Sequence, residues 1–179
     1  MKLKILLFTT LFYTGTILLA QEKHTGPVIP EFGPVWDIPG ATYQLDKDGT
    51  LMAVFDVMQS PEDHTQVNPW IETAARFLNM HAAAGMDPEN LKVALVVHNQ
   101  ASTDLLDHPG YQERFGSENP NHALLSALME SGAQVIFCGQ SSIARQVPIE
   151  QTIEGVQLSL SAMTALLQLQ DQGYRLIKF

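Results

Sequence analysis

Leu91-Lys92-Val93-Ala94-Leu95-Val96-Val97-His98 is the stretch on which the reading of the fold turns. Apart from Lys92 it is apolar up to Val97, shows no helical period and is too short for a helix buried on every side. A continuous apolar run of this length is the mark of a strand covered on both faces, as in parallel sheets. Upstream, Leu51 to Val57 reads the same way; downstream, Val135-Ile136-Phe137 does so and ends at Cys138. Val156 to Leu160 and Tyr174 to Phe179 supply a fourth and a last strand.

Helical signals fill the gaps between these runs. Asn68-Pro69 opens a helix, because Asn caps well and Pro is tolerated at the first helical position. Ile71, Ala74, Ala75, Leu78 and Ala82 then fall on one face, Glu72 and Arg76 are spaced to pair on another, and Gly85 ends the helix. Asn119-Pro120 repeats the device, with Leu124, Ala127 and Leu128 inward and Gly132 as the stop. Ser161 caps a third helix through Gln172, before Gly173. Strands alternating with helices specify an α/β domain with a mainly parallel sheet of about five strands, covered on both faces.

The N-terminal part differs. Residues 1–20 begin with Lys2 and Lys4, continue through the uncharged run Ile5 to Leu19 and end at Leu18-Leu19-Ala20, the layout of a secretory signal peptide. A spanning helix needs about 20 apolar residues, and this run is shorter and broken by Thr9, Thr10, Thr14, Gly15 and Thr16. The expected location is periplasmic or secreted, without a membrane attachment after cleavage. Residues 21–50 interleave Pro27, Pro30, Pro34 and Pro39 with Gly26, Gly33 and Gly40 and form an extended arm, either anchored by Trp36 and Tyr43 or solvated. Residues 51–179 are the α/β domain. Loss of the leader removes two lysines and no acid, taking the net charge from −9 to −11. Such an acidic chain repels nucleic acid and anionic membranes, so neither is expected as a partner.

Ligands of open parallel sheets bind beyond the carboxyl ends of the strands. That rule selects Asp56, then His98-Asn99-Gln100, then Cys138-Gly139-Gln140-Ser141. Cys138 is the single cysteine, so it forms no internal disulfide. At a strand end before a short helix, backbone N–H groups lower a thiol's pKa and the thiolate becomes a nucleophile. A buried structural cysteine is the other reading of the same position. His98 is either a base beside Cys138 or a strand-end histidine bonded to backbone. The connection from Asn99 to Glu118, with His108, Tyr111 and Arg114, has the length of a lid or binding loop containing short helical pieces. No glycine fingerprint for a nucleotide or flavin is present, no cofactor is expected, and the histidines lack metal-ligand spacing. Ser141 and Ser142 lack the surroundings of a hydrolase nucleophile.

Cys138-Gly139-Gln140-Ser141-Ser142, Leu160-Ser161-Ala162-Met163-Thr164-Ala165-Leu166, Gln170-Asp171-Gln172-Gly173-Tyr174 and Lys92-Val93-Ala94-Leu95-Val96-Val97-His98, with the Asn119-Pro120-Asn121 helix start, resemble the DsrE/DsrF-like family over roughly residues 50 to 179. The resemblance implies a flavodoxin-like three-layer α/β/α fold and a homo-oligomer, trimeric or hexameric. It also implies a cysteine persulfide at the position of Cys138, exchanged with thiol or persulfide partner proteins. On this reading Cys138 accepts sulfur and His98, Asn99, Gln140 and Ser141 shape the pocket. The alternative is a non-catalytic oligomeric module that binds a small ligand or protein and keeps Cys138 as packing.

Overall fold

The computed structural model describes residues 22–178; the proposed signal segment lies outside them. Five strands form one parallel sheet: β1 (Leu51–Val57), β2 (Leu91–Val97), β3 (Gln134–Cys138), β4 (Gln157–Ser159) and β5 (Arg175–Ile177). Their order is β4-β3-β2-β1-β5. The five helices are α1 (Pro69–Ala83), α2 (His108–Phe115), α3 (His122–Glu130), α4 (Gly139–Arg145) and α5 (Ala162–Asp171).

The strand order dictates the layers. From β1 to β4 the chain steps in one direction, and right-handed crossovers keep their connections on one face. Phe55, Val57, Val93, Leu95, Val97, Val135 and Phe137 point into that face and pack with Ile71, Leu78, Leu124, Leu125 and Leu128 of α1 and α3. The return from β4 to β5 crosses the other face, where α5 lies against Val54, Ala94, Val96 and Cys138. Ala162 and Ala165 keep that contact close. The alternation of the central strands between two buried faces is the physical content of the apolar runs.

Caps explain where the helices begin. Asn68 Oδ1 accepts from Trp70 and Ile71 N–H groups, and Ser161 Oγ accepts from Thr164 N–H. The Asn119-Pro120 pair acts differently from expectation. Helix α3 starts at His122, while Asn119 Nδ2 donates to the carbonyls of Asp104 and Leu106 and so braces the long connection. That connection is a 3-10 turn (Asn99–Leu105) followed by α2, and it is packed into the body rather than free as a lid. Tyr111 is buried, with its hydroxyl donating to His64 O. The termini of β4 and β5 also fall short of the sequence reading.

The proline-rich segment lies on α1. Asn79, fully buried, accepts from Val28 and Ile29 N–H groups and donates to Ile29, Phe32 and Gly33 carbonyls. Gly33 has φ +66° and touches the α1 backbone so closely that a Cβ would meet Arg76 N at 2.4 Å. Only glycine meets both demands. Glu72 accepts from Gly33 N–H instead of pairing with Arg76. The buried anchors of this segment are Ile29 and Val35, whereas Trp36 is half exposed and Tyr43 almost wholly so. Trp36 and Tyr43 are therefore not the main anchors: Trp36 keeps half its surface in solvent and Tyr43 nearly all of it.

A buried carboxyl ties the connections together above β1 and β2. Asp104 accepts from Ser60 Oγ at 2.8 Å and from Asn68 Nδ2 at 2.6 Å, and Asn121 Oδ1 accepts from Asn68 N–H. Burial pushes the Asp104 pKa up to about 6, although both hydrogen bonds act to lower it. A raised carboxyl pKa means that the folded protein holds a proton the unfolded chain has already released. The stability from this site is complete below pH ~3.9, the unfolded value, and is lost as pH rises through about 6. Denaturant titrations from pH 4 to 7.5 are expected to show a loss of up to about 3 kcal/mol from this group. Asp104→Asn, whose amide can donate to Ser60, is expected to flatten that dependence.

Candidate functional site

The carboxyl ends of β1, β2 and β3 lie side by side, with Val57, Val97 and Phe137 in register. Cys138 is the last residue of β3 and the N-cap of α4. By strand alternation its side chain belongs to the α5 face, where it is 5% exposed. The chain after β4 turns at Ser159 to Ser161 and brings the start of α5 over the same sulfur. Gly139 makes this approach possible, because a Cβ there would lie 2.6 Å from Ser159 O. Ser159 Oγ closes the turn by donating to Phe137 O.

Two opposed effects act on the thiol. Burial raises its pKa, but hydrogen bonds from Ser141 N–H, Ser141 Oγ, Ala162 N–H and Gln140 N–H outweigh it, and the net pKa lies below the ordinary thiol value. The donors come from the first turns of two helices, where N–H groups lack intrahelical partners and the local dipole favours negative charge. The thiolate is stabilised by hydrogen-bond donors, with no coulombic contribution from a cation among the described residues.

Ser141 and Asn99 belong to one connected set. Asn99 N–H donates to Ser141 Oγ at 3.0 Å, leaving the hydroxyl hydrogen available to Cys138. Asn99 has φ +52°, a left-handed conformation that costs a non-glycine residue energy and is tolerated more readily by Asn than by most. Its Oδ1 receives Arg145 Nη2, and Arg145 O in turn receives Arg114 Nη2. Gln140 serves the sulfur through its backbone, while its Nε2 donates to Leu160 O. His98 makes a different contact: Nε2 lies 2.8 Å from Asp56 Oδ1 on β1, the neighbour opposite to β3. Among the described residues His98 makes no hydrogen bond to Cys138. Sequence reasoning missed Ala162 and Arg145. Ala162 acts through its backbone and carries no side-chain signal, and Arg145 is recognisable only once Asn99 is beside it.

These features define a class: an open parallel α/β domain with a thiol held in a cradle of N–H donors at the carboxyl end of its third strand. The family follows. The DsrE/DsrF-like family model matches residues 52–179, and the chain belongs to that family. Two solved structures share the fold. A protein of unknown function, MTH1491 from Methanobacterium thermoautotrophicum, is 15% identical with TM-score 0.54, covering 71% of this chain and 97% of its own. The ychN protein from E. coli is 17% identical with TM-score 0.51, covering 73% and 100% respectively. No curated protein sequence matches significantly.

Removing the Ser141 hydroxyl tests the cradle. Ser141→Ala is expected to raise the Cys138 pKa and to slow alkylation by iodoacetamide at pH 7 by about tenfold, since a hydrogen bond to a charged group contributes roughly 1.5 kcal/mol. The pH profile of the alkylation rate checks this, and an unchanged profile would remove Ser141 from the role.

Proposed function

We propose that this DsrE/DsrF-like protein is an exported sulfur carrier in which Cys138 holds a persulfide. The observation that supports the reading best is the placement of Cys138 at the N-cap of α4 and against Ala162 at the start of α5, where N–H donors hold its thiol pKa below the ordinary value. Family membership favours a sulfur-relay role, and the Lys2/Lys4 start with the apolar run to Leu19 favours export.

The transfer is an exchange without net oxidation. The Cys138 thiolate attacks the outer sulfur of a donor persulfide; a sulfur–sulfur bond forms as the donor's bond breaks, and the donor leaves as a thiolate. The outer sulfur now on Cys138 is then attacked by an acceptor thiolate, which regenerates the Cys138 thiolate. The N–H cradle stabilises the anion at the beginning and end of this cycle. Donor and acceptor are thiol or persulfide proteins on this reading.

Homo-oligomerisation, as a trimer or hexamer, is part of the proposal. Met163 and Leu167, one turn apart on α5, are 74% and 64% exposed, and Leu160 just before the helix is comparably bare. Leu176 of β5 lies in register with Val54 and therefore adds to the same face. Contiguous exposed apolar surface of this kind favours a protein interface. The close packing of Cys138 favours a second reading, in which the thiol is structural and the protein is a binding module.

Two measurements bear on these proposals. After exposure to a sulfane-sulfur donor, intact-mass analysis is expected to show one added sulfur on the native protein, removed by a thiol reductant and absent from Cys138→Ser. No adduct together with no alkylation of the native thiol would leave the binding-module reading. For assembly, sedimentation is expected to find a trimer or hexamer that falls to monomer in the double variant Met163→Lys/Leu167→Lys, whose exposed positions leave the protomer core intact. A native monomer would refute the interface.

A further inference from the structure

The strand order reverses at β1, which has β2 on one side and β5 on the other. The helices that follow β1 and β2 pack on one face and α5, which precedes β5, packs on the other, so β5 extends the sheet past the edge of the α1 layer. Cys138, at the end of β3, is not there. On the α1 face of the sheet, opposite to Cys138, Phe55 and Ile177 pair in register near the ends of β1 and β5. Phe55 lies beneath Phe77 of α1, while Ile177 beside it is only partly buried. A cavity of about 750 Å³ fills this place, within the size range of small-molecule sites.

Its chemistry is uneven in a useful way. Phe55, Trp70, Phe77, Met80 and Ile177 supply aromatic and apolar wall, and no Asp or Glu lines it. Arg76 does, on an otherwise acidic chain. The carboxylate four residues earlier, Glu72, is engaged by Gly33 N–H. Among the described residues the Arg76 guanidinium has no ion pair or hydrogen bond. A cation without a partner beside an apolar wall is complementary to a ligand with an apolar body and one anionic end, and guanidinium geometry favours a bidentate carboxylate.

We infer that the β1/β5 crevice is a second site, distinct from Cys138, which binds an apolar carboxylate with its chain or ring among Phe55, Trp70, Phe77 and Ile177 and its carboxylate on Arg76. The site is independent of sulfur chemistry and stands or falls separately from it.

Calorimetric titration of the full chain with octanoate and with octanol tests the inference. Octanoate is expected to bind saturably, one per chain, and about tenfold or more tighter than the alcohol, the equivalent of about 1.4 kcal/mol. Arg76→Gln, at an exposed position, is expected to erase that preference while leaving octanol binding unchanged. Thr73→Trp, which places a ring inside the cavity, is expected to abolish binding of both. Absence of saturable binding, equal affinity for acid and alcohol, or octanoate binding indifferent to both substitutions would overturn the site. Failure of octanoate to bind, with an oligomer that dissociates in Thr73→Trp, would assign the crevice to a second copy of the chain and also overturn it.

Discussion

One helix, α5, has to cover a whole face of a five-stranded sheet, because among the described residues the return crossover from β4 to β5 is the only connection that passes there. Ten helical residues make a rod about 15 Å long and about 10 Å across, while five strands spaced at about 4.8 Å span roughly 20 Å. The layer is therefore incomplete. Small residues, Ala94, Ala162 and Ala165, let α5 settle close to the strands it does cover, and Met163, Leu167 and Leu176 remain at its uncovered flank. The same crossover fixes where α5 begins. A chain leaving β4 beside β3 must start its helix over the end of β3, which sets the Ala162 N–H against Cys138.

The opposite face has the reverse problem: it is crowded with connections. Three loops meet above β1 and β2, and Asn68, Asn119, Asn121 and Asp104 bond most of their polar groups in the interior instead of leaving them to solvent, with Asn121 Nδ2 left without a partner. Buried amides are suited to this work because each carries both donors and an acceptor. Asn79 does the same for the proline-rich segment, whose backbone is otherwise paired at the single His24–Val35 bridge and the Gly26–Ile29 turn. Bonds of this kind contribute about 1 kcal/mol each when made and cost more when broken in the interior, so they fix loop positions more than they add stability.

The alternation of strands and helices is legible in the chain because it depends on periodicity over a few residues. Asn68 and Ser161 were readable as caps for the same reason: each bonds to N–H groups within three positions. Asn119-Pro120 carries the same local signal as Asn68-Pro69, yet its side chain goes to Asp104 and Leu106 carbonyls across the loop. Glu72 lies at the right spacing for Arg76 and is taken by Gly33 of a distant segment. Local rules failed where a long-range partner offered a buried bond in place of an exposed ion pair, which is worth little at a surface.

The candidate site divides in the same way. The sequence by itself determined that an α/β domain would present a lone thiol at a strand end, next to a glycine and ahead of a short helix, since each of these is a property of adjacent residues. Tertiary structure alone decided what surrounds that thiol. Strand order turned His98 toward Asp56 on β1, the crossover delivered Ala162, and the left-handed Asn99 linked Ser141 to Arg145. Register and strand order arise from how whole elements pack, and no short pattern of residue types encodes them.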